Sequence, residues 1–297
     1  MDLALFFQHL ANGISLGSLY ALIAIGYTMV YGILRLINFA HGDLLMMSAY
    51  IVFYGMLVFA LPWWLSVVLA VLLTAALGMG IERAAYRPLR DSPRISVLIS
   101  AIGVSFFLQN LGIVVFGGRA KAVYRPAWLA ATIDIGGVSI TTLALLIPGV
   151  TLILLLMLSH LVYRTKTGMA MRAVSRDYDT ARLMGIDVDR IISFTFVTGS
   201  ALAAVGGIMW ALRYPQIHPM IGVMPGLKCF VAAVFGGIGN IPGAVLGGFL
   251  LGIGEIMLVA FIPNLAGYRD AFAFVILILT LLFRPTGLLG EKMAEKV

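Results

Sequence analysis

The sequence predicts an all-α, polytopic integral membrane protein with about 8–10 transmembrane helices, some of them broken or short. Apolar residues make up 61% of the 297 residues and charged residues only 11%, whereas soluble domains average about 45–50% and about 25%. The mean hydropathy is +1.04. The charges gather in clusters, separated by apolar stretches of about 17–25 residues that suffice to cross a bilayer. We therefore predict a single transmembrane domain over residues 1–297.

Nine apolar runs account for the predicted crossings. The seventh and ninth runs are short, so each is either a partial span or extends into flanking residues. The runs cover residues 10–34, 44–60, 62–81, 95–116, 141–163, 191–212, 227–235, 244–262 and 271–283.

Basic loops orient the predicted protein, because cytoplasmic loops are enriched in Lys and Arg. Basic residues cluster in residues 82–94, 164–190 and 284–297, which we predict to be cytoplasmic. Counting spans then places residues 117–140 and the N-terminus outside. The net charge of +7 arises largely in such loops, so it indicates orientation in a lipid membrane and not binding to nucleic acid.

The first interruption of the apolar pattern is the polar segment 35–43, which contains Asn38, His41 and Asp43. It is either a turn at the interface, with Asn38 and Asp43 capping helices, or a broken helix within the membrane. Non-helical backbone at that depth is tolerated only where it is buried in protein or lines a wet cavity. In the second case, the three polar residues are candidates for a translocation path.

The second interruption is the glycine-rich string 236–243, in which Gly239-Asn240 is a turn dipeptide. Further glycines follow at spacings that let helices approach closely. The pattern predicts a hairpin of closely packed short helices, which is compatible with a substrate path and with plain structural packing.

Glu255 is the clearest ionisable residue within an apolar run, and Lys228 begins the run before it. A charge at membrane depth is costly unless it is paired or hydrated, so Glu255 is a further path candidate. Either the two residues pair, or Lys228 extends to the interface while Glu255 faces another helix.

The chain contains neither a G-x-x-x-x-G-K-[ST] phosphate loop nor an H-E-x-x-H motif or a Cys/His metal spacing. We therefore expect no enzyme, no ATP hydrolysis by this chain, and no metal or cofactor bound to it.

The loop 164–190 carries a helix signature. Ser175 or Asp177 can cap a helix that ends at Gly185, and Asp187 or Asp189 can cap the next span. A helix of about two turns that exposes Leu183 among charges is typical of a docking element, although a merely solvated loop is the alternative.

Six motifs spread over nearly the whole chain resemble the LivH-type permease subunit of branched-chain amino-acid ABC importers. They are GSLYALIAIGYTMVYG at 17–32, INFAHG at 37–42, ERAAYRPLR at 82–90, SAIG at 100–103, GGIGNIPG at 236–243 and RPTG at 284–287.

The resemblance implies a multi-pass subunit of a bacterial inner membrane importer, forming half of the path for branched-chain or other neutral amino acids. Its implied partners are a second related permease, two ATP-binding subunits that hold ATP and Mg, and a periplasmic solute-binding protein. The family's ATPase-coupling loop falls on residues 168–185 here. Its matching residues are Gly168, Arg172, Asp177, Ala181, Leu183 and Gly185.

Two other function classes remain open at this point. An ion-coupled secondary transporter of small polar solutes would need a membrane-buried acid, for which Glu255 is the candidate. A channel or structural subunit would show flux independent of ATP. The sequence does not distinguish branched-chain amino acids from other neutral amino acids, amides or urea.

Overall fold

The computed structural model describes residues 3–90 and 92–290 and is predominantly helical. The apolar runs form helices because only a helix satisfies every backbone N–H and C=O group within one membrane-crossing segment. The α-helices are α1 Leu3–Leu34, α2 His41–Leu57, α3 Trp63–Ile81, α4 Arg94–Phe116, α5 Ala127–Ala130, α6 Thr142–Arg164, α7 Lys166–Arg176, α8 Tyr178–Leu183, α9 Val188–Arg213, α10 Val223–Gly236, α11 Ile241–Phe261 and α12 Arg269–Phe283.

Short elements connect these helices. Glu82–Tyr86 is a π-helical turn, while Arg87–Leu89 and Pro263–Tyr268 are 3-10 turns. Two antiparallel strand pairs complete the described fold. They are β1 Lys121–Ala122 with β4 Gln216–Ile217, and β2 Thr132–Ile135 with β3 Val138–Thr141.

The predicted fold class is confirmed, since 7 helical segments of the described chain are long and apolar enough to cross a membrane. The ninth apolar run does extend into flanking residues, because the 3-10 turn and α12 together form the 21-residue segment Pro263–Phe283. The seventh run stays short, as the 14 residues of α10. Helix α2, with 17 residues, is also short.

The described chain divides into two compact units. The first unit comprises residues 3–28, 126–153 and 227–290, and the second comprises 29–90, 92–125 and 154–226. Three of the four boundaries fall within α1, α6 and α10, and the fourth, between residues 125 and 126, lies in the loop before α5. The prediction of a single domain stays a prediction, because a division by internal packing does not test it.

Small residues bring helices of the first unit together. A Cβ atom added to Gly252 of α11 would lie 2.2 Å from the backbone nitrogen of Gly17 in α1. In the hairpin of α10 and α11, a Cβ on Gly247 would lie 2.1 Å from the carbonyl oxygen of Ala232. These backbones touch because no side chain separates them, which is how helices associate in lipid without a hydrophobic driving force.

In the second unit, α2, α3 and α9 pack in the same way. A Cβ on Gly207 of α9 would lie 2.4 Å from the carbonyl oxygen of Leu45, and one on Gly78 of α3 would overlap the hydroxyl of Ser200. A buried cluster around Tyr50, whose ring stacks on Phe116 at 4.2 Å, closes one end of this packing. The unit therefore holds α2 firmly along its length.

Candidate functional site

The segment between α1 and α2 is non-helical and largely buried. Helix α1 ends where Arg35 takes a left-handed conformation with φ of 53° and donates its N–H to the carbonyl oxygen of Tyr31. Residues 36–40 are not helical, and α2 begins at His41. Asn38, His41 and Asp43 are 3%, 1% and 2% exposed. The three predicted path residues of this segment are thus withdrawn from the surface, and their place in a path stays a prediction.

Asp43 fixes the depth of the start of α2. Its carboxylate accepts hydrogen bonds from the Ser105 hydroxyl and, at 3.1 Å, from the Gln109 amide. Both partners lie in the middle of α4, a 23-residue helix that spans about 34 Å at 1.5 Å per residue. Helix α2 therefore begins level with about the middle of α4.

Asn38 is held by Tyr86, which lies in a different segment from the partners of Asp43. Its side-chain oxygen accepts a 2.8 Å hydrogen bond from the hydroxyl of Tyr86, whose ring packs against Phe196 of α9. The N-cap position of α2 is Ala40, which provides no side-chain cap. The capping interpretation of Asn38 and Asp43 is therefore wrong, whereas a broken helix within the membrane stays a prediction.

The start of α2 also meets a segment that the sequence analysis did not single out. A Cβ on Gly42 would lie 2.4 Å from the carbonyl oxygen of Gly222, and one on Gly226 would lie 2.9 Å from the Gly42 Cα atom. Residues 218–222 precede α10 without forming a helix. The signals that could have found this contact are Pro219 and the closely spaced glycines.

In the first unit, Lys228 and Glu255 pair, as one of the two sequence interpretations predicted. The Lys228 ammonium lies 2.9 Å from a Glu255 carboxylate oxygen and 2.7 Å from Asp270. The Tyr20 hydroxyl donates to the other Glu255 oxygen at 2.8 Å. Lys228 is 6% exposed, so it does not extend to the interface.

The turn between α10 and α11 confirms the predicted hairpin, but α11 has 21 residues and is not short. Gly239 has φ of 93°, a conformation that favours glycine. The Asn240 side chain caps α11 by accepting from the Gly243 N–H at 3.0 Å, and it donates to the Leu289 carbonyl oxygen at 2.8 Å. Gly239 and Asn240 thus have structural roles, and their place in a path stays a prediction.

The loop 164–190 contains the predicted helix and another that the sequence analysis missed. Asp177 caps α8 by accepting from the Thr180 N–H at 2.8 Å, and Gly185 follows with φ of 79°. The missed helix is α7, whose N-cap residue is Thr165. The Thr165 hydroxyl accepts a hydrogen bond from the Gly168 N–H at 3.0 Å. A Thr three residues before a Gly is a weak cap signal, which explains the omission.

The two loop helices face different surroundings. Gly168 is buried and lies so close to α6 that a Cβ atom there would be 2.2 Å from the Leu161 carbonyl oxygen. Arg172 donates to the carbonyl oxygen of Val162. Ala181 is 3% exposed, whereas Leu183 is 87% exposed and Met184 is 77% exposed. The predicted coupling residues are therefore divided between those that anchor the loop and an exposed apolar tip.

A charged cluster ties the predicted cytoplasmic segments together. Arg90 pairs with both Glu82 and Asp189, and Arg87 pairs with Asp189 as well. Glu82 is fully buried and also accepts from the Ser193 hydroxyl at 2.7 Å. These contacts join residues 82–90 to the start of α9, which supports the prediction that the two segments lie on one side of the membrane.

The hydroxyl of Tyr178, the first residue of α8, faces the Ile33 carbonyl oxygen. Burial raises the pKa of this phenol above its ordinary value near 10, and the charges of Arg90 and Arg35 oppose part of that rise. The hydroxyl therefore stays protonated and available as a hydrogen-bond donor at physiological pH.

Known proteins are similar to this chain over nearly its whole length. Residues 9–281 match the family model described as branched-chain amino acid transport system / permease component. The chain is 45% identical over 305 residues to the high-affinity branched-chain amino acid transport system permease protein LivH of Escherichia coli, with 98% of each chain covered. It is also 45% identical over 307 residues to the corresponding permease protein BraD of Pseudomonas aeruginosa, again with 98% of each covered.

Among solved structures, the chain is similar to PsaBC from Streptococcus pneumoniae in complex with Fab. The TM-score is 0.50 at 13% sequence identity, with 93% of this chain and 91% of that chain covered. At this identity the likeness concerns the fold alone.

Proposed function

Because this chain belongs to the branched-chain amino acid permease family, we propose that it forms half of the translocation path of an ATP-driven importer for branched-chain or other neutral amino acids. The relatives' names supply the substrate class. The observation that carries the coupling role is the capped helix α8, which ends in an exposed apolar pair within a basic, predicted cytoplasmic loop.

In this proposal the chain works with several partners. A second related permease completes the path, two ATP-binding subunits bind ATP and Mg, and a periplasmic solute-binding protein delivers the substrate. The relatives are named as permease proteins of transport systems, which supports the need for other components. The basic loops 82–94 and 164–190 support insertion in a bacterial inner membrane with these loops in the cytoplasm.

The exposed tip of α8 is suited to docking an ATP-binding subunit. Leu183 and Met184 are large, exposed apolar side chains, whereas Ala181 of the same helix is buried. Apolar side chains of this kind contribute binding energy when a partner removes them from water. Because Leu183 and Met184 pack little against the rest of the chain, both side chains are accessible to an ATP-binding subunit.

The docking role is tested by Met184→Asp in the assembled importer, with Ile133→Asp as the matched control. Ile133 is 46% exposed and lies within residues 117–140, which are predicted to be outside. We expect Met184→Asp to weaken capture of the ATP-binding subunits at least about tenfold, and the control to leave capture unchanged. Equal capture by both variants, or uptake by the chain without ATP-binding subunits, would contradict the proposal.

The rival secondary transporter depends on Glu255. That carboxylate is engaged by Lys228 and by the Tyr20 hydroxyl, so it is a poor candidate for binding a transported proton or sodium ion. We expect uptake by a Glu255→Gln importer to remain dependent on ATP. Uptake that instead follows an ion gradient and disappears in this variant would favour the rival.

A further inference from the structure

Two hydrogen bonds link the end of α1 to the loop that carries α8. The Tyr178 hydroxyl donates to the Ile33 carbonyl oxygen at 2.9 Å, and the Arg35 guanidinium donates to the Ser175 carbonyl oxygen at 3.2 Å. The contacts run in opposite directions, since each segment supplies one side-chain donor and one backbone acceptor. They therefore form a reciprocal connection across 140 or more residues of sequence.

Both acceptors are carbonyl groups that helix geometry leaves without a partner. Ile33 lies in the last turn of α1, and Ser175 lies in the last turn of α7. The last four carbonyl groups of a helix have no intrahelical donor, and a cation at that end also interacts favourably with the helix dipole. Tyr178 thus caps α1, and Arg35 caps α7.

The backbone at Arg35 sends the chain from α1 into the broken segment. Its φ of 53° is a left-handed conformation that costs a non-glycine residue about 1–2 kcal/mol. Such strain persists only where surrounding contacts hold it. Three residues later Asn38 is bound by Tyr86, so the anchored segment between the helices is short.

Space beside the connection permits movement. A cleft of about 270 Å³ lies between the end of α1, the start of α4 and the junction of α7 with α8. Its lining includes Leu36, Val97, Val174 and Tyr178. Close packing would resist a shift of α8, whereas this cleft can absorb one. The start of α9, by contrast, is fixed by the ion pairs of Asp189.

We propose that Tyr178 and Arg35 are positioning residues that transmit movement of α8 to the broken segment 35–40 and so couple ATP hydrolysis to opening of the path. The proposal rests on the proposed function, because α8 moves in this way only if it docks an ATP-binding subunit. Its distinct content is the route, which runs through the end of α1 and not through α9.

The test uses the complete importer in proteoliposomes, with its solute-binding protein and radiolabelled leucine as the probe. Tyr178→Phe removes the hydroxyl and keeps the ring, and Tyr268→Phe is the control because that tyrosine is 64% exposed. We expect Tyr178→Phe to keep capture of the ATP-binding subunits and the rate of ATP hydrolysis within about twofold. Leucine taken up per ATP hydrolysed should fall about fivefold or more, with no change in the control.

Variants of Arg35 separate the side chain from the strained backbone. Arg35→Gly relieves the left-handed strain but removes the donor, so uptake per ATP should fall as in Tyr178→Phe. Arg35→Lys keeps a cationic donor and should retain at least about half of the unmodified ratio.

An unchanged ratio of uptake to hydrolysis in Tyr178→Phe and Arg35→Gly would overturn the proposal, whether both rates fall or neither does. Loss of subunit capture in Tyr178→Phe would also overturn it, since the contact would then serve assembly. Failure of the unmodified chain to capture ATP-binding subunits would instead refute the proposed function, which distinguishes the two failures.

Discussion

Substituting the two members of the buried Lys228–Glu255 pair should have unequal effects on stability. Lys228→Met leaves the Glu255 carboxylate, which is 3% exposed, without its ammonium partner. Glu255→Gln leaves Lys228 with Asp270 at 2.7 Å, and the glutamine oxygen can still accept hydrogen bonds. The asymmetry arises because the cation has two acidic neighbours and Glu255 has one cation.

The magnitudes follow from the burial of each group. Removing one partner of a buried ion pair costs about 3–5 kcal/mol, which we assign to Lys228→Met. Glu255→Gln should cost about 1–2 kcal/mol, the usual cost of weakened buried hydrogen bonds. The double variant leaves no unpaired buried carboxylate, so its cost should fall below the sum of the single costs by about 1–3 kcal/mol.

Thermal unfolding in detergent at one fixed scan rate tests these values, because such unfolding is often irreversible. At about 2 °C per kcal/mol for a chain of this length, Lys228→Met should lower the apparent Tm by about 6–10 °C and Glu255→Gln by about 2–4 °C. The control Lys166→Met removes an exposed lysine and should shift the Tm by about 1 °C or less. A larger loss in Glu255→Gln than in Lys228→Met, or strictly additive losses, would refute the reasoning.

Two further outcomes are expected. Gly185→Ala should lower the free energy of unfolding by about 1–2 kcal/mol, because Gly185 has φ of 79°. The control Gly80→Ala in α3, where a Cβ meets nothing within 4 Å, should be neutral or stabilising by up to about 1 kcal/mol. Apparent Tm values check both variants, and equal losses would contradict the backbone argument. Since burial raises the pKa of Tyr178, its stabilising contact is present below about pH 10 and is lost only as the pH rises through the raised value. Uptake per ATP should therefore not change between about pH 7 and 9, and a steep loss in that range would count against the neutral phenol as donor.

The membrane spans could be predicted because hydropathy is a local property of the sequence. Each apolar run became a helix, and the caps at Asp177 and Asp187 formed as the spacing predicted, accepting from N–H groups three residues on. Such caps involve neighbours within one turn, so their partners are visible in the sequence. The same reasoning overlooked α7, whose Met171 and Val174 are buried by tertiary contacts in a polar stretch.

The broken segment could be located but not interpreted from the sequence. Asn38 and Asp43 suit a helix cap as well as a buried polar site, and the local pattern is the same in both cases. The contacts that decide between the cap and the buried polar site are distant in the sequence, since Tyr86 lies 48 residues from Asn38 and Gln109 lies 66 residues from Asp43. The hydrogen bond from Ser193 to Glu82, across 111 residues of sequence, escaped prediction for the same reason.

The contacts around the broken segment also explain why, on the proposed route, movement of α8 reaches this segment through Arg35. Within the second unit, the start of α2 is held by the polar contacts of Asp43 and by the backbone contact of Gly42 with Gly222. In lipid, such polar and close-packed contacts are what fix helices in place, because apolar surface alone does not distinguish one neighbour from another. The other end, at Arg35, is held to a loop helix beside an open cleft. A displacement of α8 therefore bends the segment between Arg35 and Asn38 before it can move α2.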